Sequence, residues 1–85
     1  MKNATDEPIQ YYLTSDLGLA TALVSSGIHL KSIEKSNPNR AVFCFEQSNG
    51  LIEAVGLYYS CQLKIDALTH FNILRMLKSR IYGER

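Results

Sequence analysis

The sequence predicts an α+β fold: a small three-stranded antiparallel sheet packed by three helices, in the order β-α-β-β-α-α. Three observations predict it. The runs "IQYYLT" and "AVFCFE" are aromatic and β-branched, the composition of half-buried strands. The cluster "SNPN" is turn chemistry between two extended arms. Three stretches of helical periodicity each open behind a Ser, Thr, Asp or Asn that can cap a helix.

The elements follow in order. Residues 1–8 are polar, end in Pro8, and are expected to form a flexible tail ahead of one domain over 9–83, with 84–85 as its end. Ile9–Thr14 reads as the first strand. Tyr11 and Tyr12 must then point to opposite faces. "TSD" supplies a cap at Thr14 or Ser15, and Asp16 suits the positive end of the helix dipole. The first helix should run over about 16–26, with Leu17, Ala20, Leu23 and Val24 on one side and small residues that allow close approach. Gly27 tolerates the left-handed conformation that stops a helix.

His29–Lys35 and Arg40–Glu46 read as the arms of a hairpin. The second is apolar on both faces at Val42, Phe43, Cys44 and Phe45, which suits a central strand. The first is polar, and Lys31 and Lys35 would guard it as an edge. Ser48 or Asn49 caps a second helix over about 50–60, with Leu51, Ile52, Val55, Tyr58 and Tyr59 as its apolar stripe. After an extended link, Asp66 caps the last helix, Ala67–Tyr82, and Gly83 ends it. The expected core is Leu23, Ile33, Phe43, Phe45, Val55, Phe71, Leu74 and Leu77.

The chain has 85 residues and a formal net charge of +1. That length supports one domain, burying a little over ~60 % of its unfolded surface. The charges are unevenly placed. Up to Leu63 four cations stand against six acids, and from Lys64 onward five stand against two. Such asymmetry can mark a basic contact surface. "MKNATDEPIQ" has no apolar leader core, and no apolar run approaches the ~18 residues a membrane span needs. Cys44 and Cys61 lie in apolar segments and read as reduced, buried thiols, so a cytoplasmic setting is expected.

The closing segment "HFNILRMLKSRIYGER" holds Arg75, Lys78, Arg80 and Arg85. On a helical wheel Ala67, Phe71, Leu74, Leu77, Ile81 and Tyr82 share one arc, read as the core face. Arg75 and Arg80 flank the polar face. Lys78 falls within the apolar arc, so its stem should pack while its ammonium reaches water or an acid. A phosphate-tracking helix would cluster its cations. These are spread, and cations near a helix C-terminus already complement its dipole. A solvated face is therefore preferred to a nucleic-acid arm.

Catalytic and metal chemistry find little support. His29, Cys44, Cys61 and His70 lack the close pairing of structural zinc ligands, and no metal or cofactor is expected. Glu34 and Glu46 lie on the two hairpin arms and could face each other, with Lys35 or Arg40 to neutralise them. A solvated strand edge explains them better than a split acid/base pair. His70 lies beside Leu77 and Ile81 and reads as a core histidine. No phosphate loop, nucleophile elbow or H-E-x-x-H pattern is present, so the chain is not expected to be an enzyme.

"YYLTSDLGLATALVSSGIHL", "AVFCFE" and "LYYSCQLKIDALTHFNILRMLKSRIYG" together resemble a family of small uncharacterised domains in bacteria and their mobile elements. The shared features are a T-x-D-L helix start, a glycine, an F-x-F-like arm and a closing L-x-x-L-K-S-x-I-Y helix, over about residues 11–83. They fall on Thr14, Asp16, Leu17, Gly27, Phe43, Phe45, Tyr58, Asp66, Phe71, Leu74, Leu77, Lys78 and Tyr82. The resemblance implies a compact α+β module in a bacterial or phage-like setting, and no reaction. Lys78 matches the pattern, and a structural pairing to Glu46 or Glu53 is favoured over a role in binding.

The expected function is a small non-enzymatic binding module acting through protein–protein contacts, as an accessory or regulatory protein of a bacterium, phage or mobile element. Self-association through an exposed hairpin arm or the last helix is one form of this. The alternative is a nucleic-acid binder using Lys64, Arg75, Lys78 and Arg80, with Lys31 and Lys35 as further candidates. No membrane partner and no small-molecule substrate are implied.

Overall fold

β3 (Arg40–Glu46) forms the middle of the sheet, with the apolar run Ala41–Phe45 along it. It pairs antiparallel with β1 (Tyr11–Thr14) on one side and β2 (Leu30–Asn37) on the other, giving the order β1-β3-β2. Three helices complete the predicted order: α1 (Leu17–Ser25), α2 (Asn49–Tyr59) and α3 (Ala67–Tyr82). The fold is the small α+β arrangement that the periodicities imply. The computed structural model describes residues 8–37 and 39–83. The expectations for the tail up to Glu7, for Pro38 in the hairpin turn, and for Glu84 and Arg85 lie outside the described residues.

Strand alternation sorts the sheet into two unlike faces. Tyr12, Phe43, Phe45, Leu30 and Ile33 face the helices and join one core cluster. Phe43 and Phe45 are fully buried there. Tyr11, Leu13, Val42, Cys44, Ser32 and Glu34 fall on the other face, and Tyr11 and Leu13 are exposed on it. Glu34 sits opposite Val42, and Glu46 opposite Tyr11, so the expected facing of the two glutamates does not occur. Lys35 instead donates to the Arg80 carbonyl at 2.8 Å, and the Arg40 Nε–H donates to Ser15 Oγ at 2.8 Å.

α1 lies between the sheet, α2 and α3. Its residues Leu19–Leu23 are buried in unbroken succession, so the expected single stripe understates its burial. Ala20, Thr21 and Ala22 are small enough for neighbours to approach on every side. Thr21 satisfies its hydroxyl within the helix, donating to the Leu17 carbonyl at 2.7 Å. Asp16, rather than Thr14 or Ser15, is the cap: its Oδ1 accepts the Leu19 N–H at 3.1 Å. Thr14 supports that turn by accepting the Asp16 N–H at 3.0 Å. At the far end the Gly27 N–H donates to Val24 O and the Ile28 N–H to Leu23 O, both at 3.0 Å, with Gly27 at φ +96°. This is a Schellman stop of the kind a glycine permits.

α2 ends with the same bonding but without glycine. The Cys61 N–H donates to Tyr58 O at 3.1 Å and the Gln62 N–H to Leu57 O at 2.8 Å, with Cys61 at φ +63°. Cys61 is therefore exposed at a turn, and Cys44 is half-buried, so the expectation of two buried thiols is corrected. Of the expected α2 stripe, Leu51 is buried and Val55 and Tyr58 pack at its margin. Ile52 and Tyr59 are exposed, and Ala54 takes the inner position instead.

Candidate docking face

α3 is as predicted in extent, and Asp66 caps it by accepting the Thr69 N–H at 2.9 Å. Its rotation about its own axis differs from expectation. Leu77 is fully buried, and His70, Ile73, Leu74 and Ile81 are half-buried around it, so this side meets α1 and the core. Phe71, expected in the core, is 54 % exposed; Tyr82 is 70 % and Leu68 66 % exposed. The physical reason lies in the width of the apolar arc. Apolar residues occupy about half the circumference of α3, but a single packed contact covers only about a third of a helix. The core takes the side centred on Leu77, and the excess is left in water.

That excess forms a continuous line. Leu68, Phe71, Arg75, Lys78 and Tyr82 recur at alternating spacings of three and four, which keeps them along one side of the helix. All five are exposed. The Arg75 guanidinium lies over the Phe71 ring, 5.6 Å from its centroid, a cation–π contact that orders both side chains toward solvent. Lys78 is exposed beside them, and the expected pairing with Glu46 or Glu53 does not occur.

The four basic residues singled out from the sequence do not converge on one patch. Arg75 and Lys78 share the outer line. Arg80 lies round the helix toward β2, where Lys35 holds its carbonyl. Lys64 is exposed in the link before α3. From Ala67 to Tyr82 the helix contains no acidic residue, so the outer face is cationic as well as apolar.

Titration perturbations lie elsewhere. At the α1–α2 contact the Tyr58 hydroxyl is raised above its ordinary pKa, first by desolvation and then by the Asp16 carboxylate. Tyr59 is raised by the same two causes in the same order, and its hydroxyl donates to Asp16 Oδ2 at 3.4 Å. The two rings meet edge to face, 5.1 Å apart. Both hydroxyls stay protonated at neutral pH and act as helix-contact groups. The Asp66 carboxyl is held below the usual range, first by the Thr69 N–H and then by the Thr69 hydroxyl. Among the described residues no three His, Cys, Asp or Glu side chains are grouped to hold a metal ion. His29 is exposed and His70 is half-buried on the core side of α3.

Two hollows mark the surface. One, of about 200 Å³, lies between the start of α1, the start of β3 and the end of α3, lined by Ser15, Leu17, Arg40, Phe43 and Tyr82 among others. The other is a broad depression between the start of β1 and the start of α2. The second is lined by Glu46 and Ser48 among others, and there Ser48 serves as the cap of α2, its Oγ accepting the Leu51 N–H at 3.1 Å. Among the described residues no helix is long and apolar enough to cross a membrane.

Residues 9–83 match the family model of a domain of unknown function, DUF5659, and the chain belongs to that family. No curated protein and no solved structure matches it.

Proposed function

We propose that this DUF5659 domain is a non-enzymatic binding module that docks a protein partner on the outer face of α3. The observation that carries the reading is the exposed line Leu68–Phe71–Arg75–Lys78–Tyr82. Exposed aromatics with an arginine between them are the residue types that dominate protein interfaces. A helix that only tracked phosphates would have no use for Leu68 and Phe71 in water. Its cations would also share a side, whereas Arg80 stands apart from Arg75 and Lys78.

The partner follows from the chemistry of the line. It presents apolar side chains beside carboxylates, at the spacing of an amphipathic helix. Two copies of α3 do not suit each other, because antiparallel pairing would set Arg75 against Arg75 of the second copy. The resemblance of the motifs supports a role as an accessory or regulatory protein of a bacterium, phage or mobile element. The chain's two free cysteines suit a reducing compartment such as the cytoplasm.

A peptide-display selection on the full chain tests this. Enriched peptides should carry Asp or Glu beside apolar residues at three- and four-residue spacing, and should not bind the Phe71→Ser or Arg75→Glu variants. Labelled duplex DNA, single-stranded DNA and RNA provide the opposing arm. Tight nucleic-acid binding that falls steeply with salt, and is lost in Arg75→Glu/Arg80→Glu, would replace the protein reading with a phosphate-binding one.

A further inference from the structure

The two edges of the sheet are unlike in a way that bears on assembly. β2 is guarded against strand addition, as Lys31 and Lys35 imply. Lys31, Glu34 and Lys35 lie along β2, and its pairing with β3 is interrupted by register shifts between Leu30 and Ser32 and between Glu34 and Asn37. Charges and irregular register are the devices that keep an edge from adding strands. β1 has neither. From Pro8 to Ser15 there is no charged residue, and its pairing with β3 runs without a shift.

The hydrogen-bond phase of β1 shows which groups are free. The Gln47 N–H donates to Gln10 O at 2.8 Å, so Gln10 and Gln47 form a bonded pair. Bonded pairs recur at every second residue, which puts Tyr12 and Thr14 on β3 and turns the N–H and C=O groups of Tyr11 and Leu13 to the open edge. On the sheet face away from the helices, Ile9, Tyr11 and Leu13 are 59 %, 44 % and 61 % exposed. The open edge and the apolar face belong to the same residues.

We propose that β1 pairs antiparallel with β1 of a second copy, joining two three-stranded sheets into one. Centring the pairing on Tyr12 sets Tyr11 opposite Leu13 of the other copy, twice over. Each such pair exchanges two main-chain bonds, roughly four in all. The exposed tyrosine and leucine become cross-strand neighbours on the open face. A two-fold contact sets the same strand against itself, with only Tyr12 on the axis, so an uncharged edge is self-complementary where one carrying like charges near the axis repels. Pro8 shares the phase of Gln10 and Tyr12, so its missing N–H lies on the β3 side and leaves the open edge intact. The short contact buries less than a standard interface, so the dimer forms in the micromolar range or weaker.

Sedimentation equilibrium of the full chain, from about 10 µM to about 1 mM, tests this. The mass should rise toward twice the monomer value. Leu13→Lys puts like charges near the two-fold and should weaken association on the order of tenfold or more. Leu13 is exposed, so the variant keeps its fold, which circular dichroism checks. Ser32→Lys, on β2 and on the same sheet face, should leave association unchanged. Amide exchange gives a second readout: the Tyr11 and Leu13 amides should slow as concentration rises, while the Tyr12 and Thr14 amides are slow throughout. A chain monomeric at the highest concentration overturns the proposal. So does a dimer untouched by Leu13→Lys, or one lost in Phe71→Ser instead.

Discussion

Replacing Cys61 by glycine should stabilise the protein. Cys61 stops α2 at φ +63°, in the left-handed region where an L side chain crowds its own backbone. That conformation costs a non-glycine residue about 1–2 kcal/mol. Glycine escapes the cost but loses roughly 0.5–1 kcal/mol through the greater freedom of its unfolded chain. Cys61 is exposed, so little packing is lost with its side chain. The balance is a gain of about 0.5–1 kcal/mol, or roughly 2–8 °C in melting temperature for a domain of this size. Urea and thermal unfolding followed by circular dichroism measure it. Gly27→Ala is the reciprocal test, since Gly27 stops α1 with the same bonds at φ +96°. A Cβ there would meet no atom within 4 Å, so any loss is purely conformational. By the same balance it should destabilise by about 0.5–1 kcal/mol. If Cys61→Gly is neutral or harmful and Gly27→Ala is harmless, the backbone argument is wrong at both helix ends.

Other expectations can be checked in the same unfolding assays. Gly56→Ala lies inside α2 with open space around the added Cβ, and should stabilise by roughly 0.5–1 kcal/mol. Leu77→Ala should cost about 2–5 kcal/mol, whereas Phe71→Ser should cost no more than about 1 kcal/mol, the scale of its contact with Arg75. Equal costs would mean that α3 is rotated from the orientation described. The Asp66 carboxyl has a lowered folded-state pKa, so its contribution to stability is complete above the ordinary carboxyl range. It is lost as pH falls through the lowered value. Asp66→Asn should flatten that part of the acid limb, seen as a smaller difference in unfolding midpoint between neutral and acid pH.

What was legible in the sequence is what local chemistry decides. Asp66 and Gly83 bracket α3 because a capping oxygen and a helix stop act within one turn of chain. The apolar run of β3 marks a central strand, since a neighbour on each side shields it better than an edge would. What was not legible depends on how many neighbours an element has. α1 shows one apolar stripe on a wheel, yet three neighbours bury it all round. α3 carries more apolar surface than its single packed side can take, and the wheel cannot say which part is surplus. The wheel therefore places Phe71 in the core, whereas it belongs to the outer line. Cys61 carried no signal for a left-handed stop, because glycine is the residue that advertises one. The unguarded edge of β1 emerges only when its hydrogen-bond phase and its neighbours are known.

The outer face of α3 is the centre of this account, and a direct titration tests it. A labelled acidic amphipathic peptide from the display selection is added to the full chain, to Phe71→Ser and to Arg75→Glu, and anisotropy is followed at low and near-physiological salt. The account predicts saturable binding to the native chain and a loss on the order of tenfold or more in each variant, about 1.4 kcal/mol or more. Their melting should stay within about 1 kcal/mol of the native chain. Binding that persists undiminished in both variants would contradict it, because the partner would then rest on some other surface.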